Sequence, residues 1–379
     1  MNKYYGLLIS LSICLIGQAA GHKSSIVTKA FFHQGKLSDK VMFYFDVEPL
    51  CNELPARPSQ KSGTAMKELV LFFPLTSFSR EAKHNLAGLK DTNNSLYKIS
   101  LEEVEKPIKG LKVYVAYDPE SIIFDYSSCD VISATKGFVM SFHNKKVLEK
   151  IKHASNSVLR YAEAEKPQKK RIVVDFGHGG RDTGTIGCHS LKEKDLTLQV
   201  GRKVVSLLKQ KGFEVCVTRD RDVFIPLDRR TTFANQKNAE LFVSIHANSS
   251  PKKNIQGVET YWSPRCSVHK QSLKQKITAD VALQEFYYPF DSRAELLARC
   301  VHNGVLTCVQ STYKLVDRAV KKSISQVLIG TDMPSTLIEI GFLSHAQEAD
   351  WLSQDSNQIK IAAGICNGIE AYYKSAFAA

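Results

Sequence analysis

Apolar positions between about Ser25 and Lys146 fall in short runs, VMFYFDV, ELVLFFPL, LKVYVAY and SIIFDY, divided by charged pieces or pieces bearing Pro, Gly or Asn. Runs of about four to eight residues, rich in β-branched and aromatic side chains, predict strands rather than helices. They predict a small β-sandwich over residues 25–150, although the long interruption CNELPARPSQKSGTAMKE leaves the strand order open. KKVLEKIKHASNSVLRYAEAEKPQKK then reads as a connector ending in a charged, proline-bearing hinge, which places a linker at 151–170. A solvated helix inside one continuous domain is the rival reading of this stretch.

From Arg171 the rhythm changes to strand IVVDF, helix DLTLQVGRKVVSLLKQK, strand FEVCVTR, helix PLDRRTTFANQK and strand ELFVSIH. A helix across AELLARCVHNGVLTCVQSTY, a strand near Ser335 to Ile340 and a helix through IKIAAGICNGIEAYYKSA follow. Apolar runs alternating with helical patterns predict crossover units, so residues 171–379 form an α/β domain with a mostly parallel sheet flanked by helices.

The beginning of the chain has a different character. Lys3 precedes an apolar run from about Leu7 to Ile16, and the small residues Gly17, Ala19 and Ala20 follow. This is the layout of a signal peptide over residues 1–20, and about ten apolar residues are too few to cross a bilayer as a mature helix. The expected mature chain is exported and has no transmembrane helix. Its formal net charge of +13 favours an anionic partner. No zinc-finger spacing, Walker A sequence or Arg-rich block supports nucleic acid as that partner. The nine cysteines include no CxxC pair. Cys216 and Cys366 lie in apolar patterns that predict burial as small hydrophobes.

Candidate chemistry gathers at His178, Glu193, His246 and Glu339, each placed where an apolar segment meets polar residues. Open α/β sheets present ligands beyond the carboxyl ends of their strands. His178 follows IVVDF, His246 ends LFVSI, Glu339 follows STLI, and Glu193 opens a long helix. Two imidazoles and a carboxylate, with a second carboxylate to handle a proton, suit a catalytic metal with an open coordination position. Each residue also has a plainer reading. His178 fits a turn, His246 fits a core, and Ser190 with Glu193 has the spacing of a helix capping box. Glu339 interrupts the apolar TLIEIGF, where an unpaired charge is expensive. Asp175 is a candidate to orient a histidine from behind. His33, His84 and His143 share no ligand spacing and read as ordinary histidines.

The motifs VVDFGHGGRDTGTIG, LKEKDLTLQVGRKV, VTRDRD, DRRTTFAN, LFVSIHAN, GVETY and LIGTDMPSTLIEIGFLSH occur in one order across residues 171–374. In order and spacing they resemble the zinc-dependent N-acetylmuramoyl-L-alanine amidases, the group that includes the periplasmic cell-separation amidases, with an Amidase_3-like catalytic domain. That resemblance implies Zn2+ held by His178, Glu193 and His246, Glu339 as the catalytic carboxylate, peptidoglycan as substrate and the periplasm as location. It also implies an accessory role for the N-terminal sandwich in positioning the enzyme. Asn248 and backbone groups at Gly179 and Gly180 are candidates to place substrate oxygens.

Two departures from the family pattern are visible. Phe176 stands where proline is common, and His345 where asparagine is common, the latter adding a protonatable group to the rim if it faces inward. Several relatives carry an inserted helix that covers the zinc until an envelope activator displaces it. Residues 265–293 occupy that place here, with Glu285 as the candidate blocking, regulatory residue. A surface helix packed through Ile277, Val281 and Phe286 explains the pattern equally well. Two other functions compete with the amidase: a zinc peptidase acting on stem peptides, and a noncatalytic envelope-binding protein.

Overall fold

The computed structural model describes residues 25–34, 38–46, 51–54, 66–74, 76–80, 82, 96–105, 109–130, 136–146, 170–264, 277–310 and 312–376. The expected signal peptide, nearly all of the connector 151–170, and His84 lie outside the described residues, as do the side chains of His33 and Glu285.

The N-terminal unit is built from strands. β1 (Ser25–Gln34), β2 (Ser38–Phe45), β5 (Thr76–Phe78), β8 (Ile122–Asp130) and β9 (Lys136–Asn144) form a five-stranded sheet in the order β5-β1-β2-β9-β8. β3 (Asn52–Leu54), β4 (Lys67–Pro74), β6 (Tyr97–Val104) and β7 (Gly110–Tyr117) form a second sheet in the order β3-β4-β7-β6. Successive side chains on a strand face opposite ways, so alternate residues reach one core. Val41, Phe43 and Phe45 of β2 share that core with Leu71 and Phe73 of β4. Phe73 meets Phe138 of the other sheet edge to face at 4.9 Å. His143 is buried within this unit.

The second unit holds a six-stranded sheet in the order β11-β10-β12-β15-β13-β14. Its strands are β10 (Arg171–Phe176), β11 (Glu214–Val217), β12 (Leu241–Asn248), β13 (Val258–Trp262), β14 (Asp317–Lys322) and β15 (Ser335–Phe342). β11, β10, β12 and β15 run parallel, but β13 pairs antiparallel with β15, and β14 runs with β13. The sheet is mostly parallel, as expected, with four of its five strand pairings parallel and the β13-β15 pairing antiparallel.

Its helices are α1 (Glu193–Gln210), α2 (Leu227–Gln236), α3 (Ile277–Val309), α4 (Gln326–Ile329), α5 (Ala346–Ser353) and α6 (Asp355–Ala376). Leu196, Val200, Val204 and Leu208 recur at four-residue spacing on α1 and pack into the sheet's core. Phe176, where proline was expected, is buried at the end of β10, and a Cβ on Gly201 of α1 would stand 2.3 Å from its ring. The missing side chain on the helix makes room for the large one on the strand. Cys366 is buried as expected, whereas Cys216, on the edge strand β11, is only partly covered. No helix among the described residues is long and apolar enough to cross a membrane.

α3 and α6 meet backbone to backbone. A Cβ on Gly304 would lie 2.3 Å from the carbonyl oxygen of Gly364, and one on Gly368 would lie 2.5 Å from that of Cys300. Backbone at that distance cannot yield as a flexible side-chain tip would. Gly368→Val is expected to cost about 1–3 kcal/mol, seen as a drop of several degrees in Tm by calorimetry. An unchanged Tm would show that the two helices do not meet there.

Candidate metal centre

The sheet delivers its central strands to one rim, and the turn after β10 is fixed there by charge. His178 adopts φ 61°, unusual for a side chain with a Cβ. Residues 176–178 turn their carbonyls toward two buried arginines. Arg230 donates to the carbonyls of Phe176 and His178 at 2.7 Å each, and Arg219 donates to those of Phe176 and Gly177 at 2.9 Å each. Asp175 is fully buried and neutralises Arg230 at 2.8 Å, while Thr218 and Ser244 donate their hydroxyls to it. Burial pushes the Asp175 carboxyl up, but the Arg230 charge and the Thr218 hydroxyl bring it below the usual carboxylate range.

Asp175 therefore orients an arginine, and the expectation that it orients a histidine is corrected. Behind the His178 ring stands Asp182, four residues on, whose Oδ2 lies 2.9 Å from His178 Nδ1. That contact leaves Nε2 for the centre, as a partner behind a ligating imidazole does.

Glu193 stands at the first residue of α1 and is buried. Its Oε1 lies 3.0 Å from His178 Nε2 and 2.9 Å from His246 Nδ1, and accepts the Ala247 amide at 3.1 Å. Its Oε2 accepts the Thr185 amide at 2.9 Å. Burial pushes this carboxyl up, yet hydrogen bonds from both histidines hold it far below its ordinary range. The capping-box reading of Ser190 and Glu193 is corrected: Lys192 is the helix N-cap, without a side-chain cap, and Ser190 sits in the left-handed region at φ 59°.

The donor atoms of His178, Glu193 and His246 all lie within 4.8 Å of one another. Glycines make that crowding possible. A Cβ on Gly177 would stand 2.4 Å from the His246 ring, and one on Gly184 would stand 2.5 Å from Glu193 Oε2. Two imidazole nitrogens and one carboxylate oxygen are a donor set that suits a catalytic zinc.

Glu339 lies on β15 in register with His246 of β12. It is buried, and its Oε2 has no hydrogen-bond partner among the described residues. Burial, then the charges of Glu193 and Glu259, push its carboxyl well above the ordinary value. An unpartnered buried carboxyl beside a carboxylate is costly unless cationic charge arrives nearby.

Other candidates have different surroundings. Asn248 donates Nδ2 to Glu259 at 2.6 Å and accepts the Ser249 amide at 2.7 Å. The Gly179 amide donates to the Asp182 carbonyl at 2.8 Å and the Gly180 amide to Asp222 at 2.6 Å, so both serve the loop itself. His345 is the N-cap of α5, where its Nδ1 accepts the Glu348 amide at 3.3 Å. Glu285 lies on α3.

Sequence reasoning gave no role to Asp182, Arg219, Arg230 or Glu259. The available signal was a charged residue set beside apolar or glycine-rich neighbours, in GGRDTG, CVTRD and GVETY.

A profile of the Amidase_3 family, described as N-acetylmuramoyl-L-alanine amidase, matches residues 172–371. An uncharacterized protein of Bacillus subtilis, YqiI, is 33% identical over 210 residues, which cover 55% of this chain and 88% of that protein. The N-acetylmuramoyl-L-alanine amidase AmiA of Escherichia coli K12 is 31% identical over 229 residues, covering 55% of this chain and 78% of AmiA. AmiC of Escherichia coli O6:H1 is 30% identical over 247 residues, covering 61% of this chain and 59% of AmiC. Among solved structures, the amidase AmiC2 of Nostoc punctiforme is similar at 30% identity and a TM-score of 0.46, over 55% of this chain and 99% of that one. The family match takes in more than half of the chain, together with all four rim residues, and this protein belongs to the Amidase_3 family of N-acetylmuramoyl-L-alanine amidases.

Proposed function

We propose that the region from Arg171 onward hydrolyses the amide between N-acetylmuramic acid and L-alanine in peptidoglycan, using a zinc ion held by His178, Glu193 and His246, with Glu339 as the catalytic carboxylate. Amide hydrolysis is the family's activity. The single observation that supports these residue roles is the meeting of a three-donor cluster with a buried, unpartnered carboxyl on the neighbouring strand.

Zinc in this set supplies Lewis acidity, polarising the scissile carbonyl and lowering the pKa of water. The protein's own groups do the rest. Asp182 fixes the His178 ring through Nδ1. The Ala247 and Thr185 amides hold both oxygens of Glu193, so that carboxylate cannot rotate away. Glu339 takes the proton of the attacking water and returns it to the departing amine of L-alanine. A carboxyl raised by burial and by neighbouring carboxylates is a better base once ionised, and a competent acid afterwards. Arg219 and Arg230 keep the β10 turn in place during this proton traffic.

The N-terminal sheets, residues 25–150, are proposed to position the enzyme on its polymeric substrate, joined through a linker at 151–170 to a catalytic domain at 171–379. The proposed location is the periplasm, after removal of a signal peptide over residues 1–20. An envelope activator acting on residues 265–293 and Glu285 belongs to the same proposal.

The reading is tested by incubating the protein with intact sacculi and weighing the products. Cleavage releasing peptides that begin with L-alanine is expected, and cleavage only within the stem peptide would overturn it. Chelation is expected to abolish turnover and zinc to restore it; full activity in demonstrably zinc-free protein would contradict the metal's role. Glu339→Gln is expected to keep its zinc and lose on the order of 10²–10⁴-fold in kcat, whereas His178→Ala loses zinc itself. Equal metal loss in both would show the roles to be wrongly divided. Asp182→Asn is expected to weaken zinc binding by about 10–100-fold in competition with a chromophoric chelator, and wild-type affinity would remove Asp182 from the centre.

A further inference from the structure

The side of the sheet beyond Glu339 carries a second group of charges that the mechanism leaves unused. Glu259 of β13 sits opposite Glu339 of β15 and is itself buried. Its Oε1 accepts Asn248 Nδ2, and its Oε2 accepts Arg318 Nε at 3.2 Å and Lys321 Nζ. Burial pushes the Glu259 carboxyl up, but Lys321 foremost, with Tyr261 and Arg318, holds it below the ordinary range, as a carboxylate. One negative charge thus faces two positive ones. Glu348 accepts the backbone amides of Gly257 and Phe342. Arg318 and Lys321 share Glu259 and remain partly open to solvent, at 30% and 38%.

The backbone of β14 is distorted to place these cations. The β13-β14 register shifts between Val258 and Thr260, directly across from Arg318 and Ala319. Ala319 takes φ 70°, a left-handed conformation that costs a residue with a Cβ. Bulges of this kind re-aim a side chain, and strained backbone persists where its surroundings enforce it. The enforcement is visible here. Asp317 Oδ1 accepts the Ala319 amide at 2.7 Å and lies 2.9 Å from His302 Nε2, and the buried His302 reaches Thr260 through Nδ1 at 2.9 Å. Arg318 also lies over the Phe342 ring at 5.0 Å, at the rim where β15 ends. A strand that only completed a sheet would need neither the bulge nor its bracing.

We propose that Arg318 and Lys321, aimed across Glu259 by the β14 bulge, form a subsite that binds a carboxylate of the peptidoglycan stem peptide. The proposal rests on the amidase reading above and deepens it, since it assigns the recognition of an anionic peptide to residues outside the metal centre. Planar guanidinium and mobile ammonium groups are complementary donors for a carboxylate. Glu259 serves as the positioning residue that holds both.

The test compares two soluble muropeptides, identical except that the stem-peptide carboxylates are free in one and amidated in the other. kcat and KM are measured for the full chain with Arg318→Gln, Arg318→Lys and Lys321→Gln, and zinc content and Tm verify each protein. Wild type is expected to favour the free carboxylate through KM by on the order of tenfold. Arg318→Gln is expected to remove most of that preference, and Arg318→Lys and Lys321→Gln part of it. Equal losses on both substrates, or a wild type without preference, would overturn the subsite, leaving the cations as braces for Glu259 alone. If Arg318→Gln does not fold, Lys321→Gln decides by the same ratio. Failure of wild type to cleave either muropeptide at the N-acetylmuramoyl amide would instead strike down the amidase reading, and the subsite with it.

Discussion

One carboxylate oxygen, Oε1 of Glu193, ties the functional half of this protein together. It meets an imidazole from the turn after β10, an imidazole from the end of β12 and the amide of Ala247, while its own backbone opens α1. Three distant stretches of chain are thereby brought to one point around a buried carboxylate. The carboxylate is also favoured by its place at a helix start, where the peptide dipoles present partial positive charge. Two buried carboxyls, Glu193 and Glu339, then share the rim, and burial of Glu339 beside the Glu193 charge separates them chemically. Glu193 is held anionic by the histidines, whereas Glu339 is driven toward its proton. That division matches one ligand and one proton carrier.

The turn bearing His178 depends on a second set of charges. Its carbonyls point inward and need donors that water cannot supply. Arginine suits this task because several N–H groups diverge from one rigid plane, so Arg219 and Arg230 between them satisfy successive carbonyls. A lysine presents a single point of charge and cannot span them. Asp175 offsets the charge of Arg230 from within the sheet, which makes burial of the pair tolerable. The sequence motifs around Arg219 and Arg230 are thus parts of the metal loop's foundation, although each is more than thirty residues away along the chain.

Strand and helix periodicity made the alternation from Arg171 to Ile245 legible, because those strands are short apolar runs and α1 repeats its apolar residues with a helical period. The grouping of His178, Glu193, His246 and Glu339 was legible for a related reason: each sits beside an apolar run whose end marks the rim. β13 and β14 were harder to read. VETYW places a charge and two hydroxyls inside five buried residues, and DRAVKK is an edge strand with little apolar content. The antiparallel turn of the sheet therefore left no clear periodic trace. Asp182 and Glu259 were missed because a single acidic residue, among glycines or in a short strand, shows no role until its partner arrives from elsewhere. His345 has a role that its sequence context did not announce: its Nδ1 caps the start of α5.

The account stands most directly on the identity of the donors in the centre. X-ray absorption at the zinc edge, on protein loaded with a single equivalent of zinc, reports those donors without reference to turnover. The account predicts nitrogen and oxygen neighbours only, at about 2.0–2.2 Å, with imidazole scattering from two rings. Sulfur neighbours at about 2.3 Å, or scattering from no imidazole ring, would contradict it.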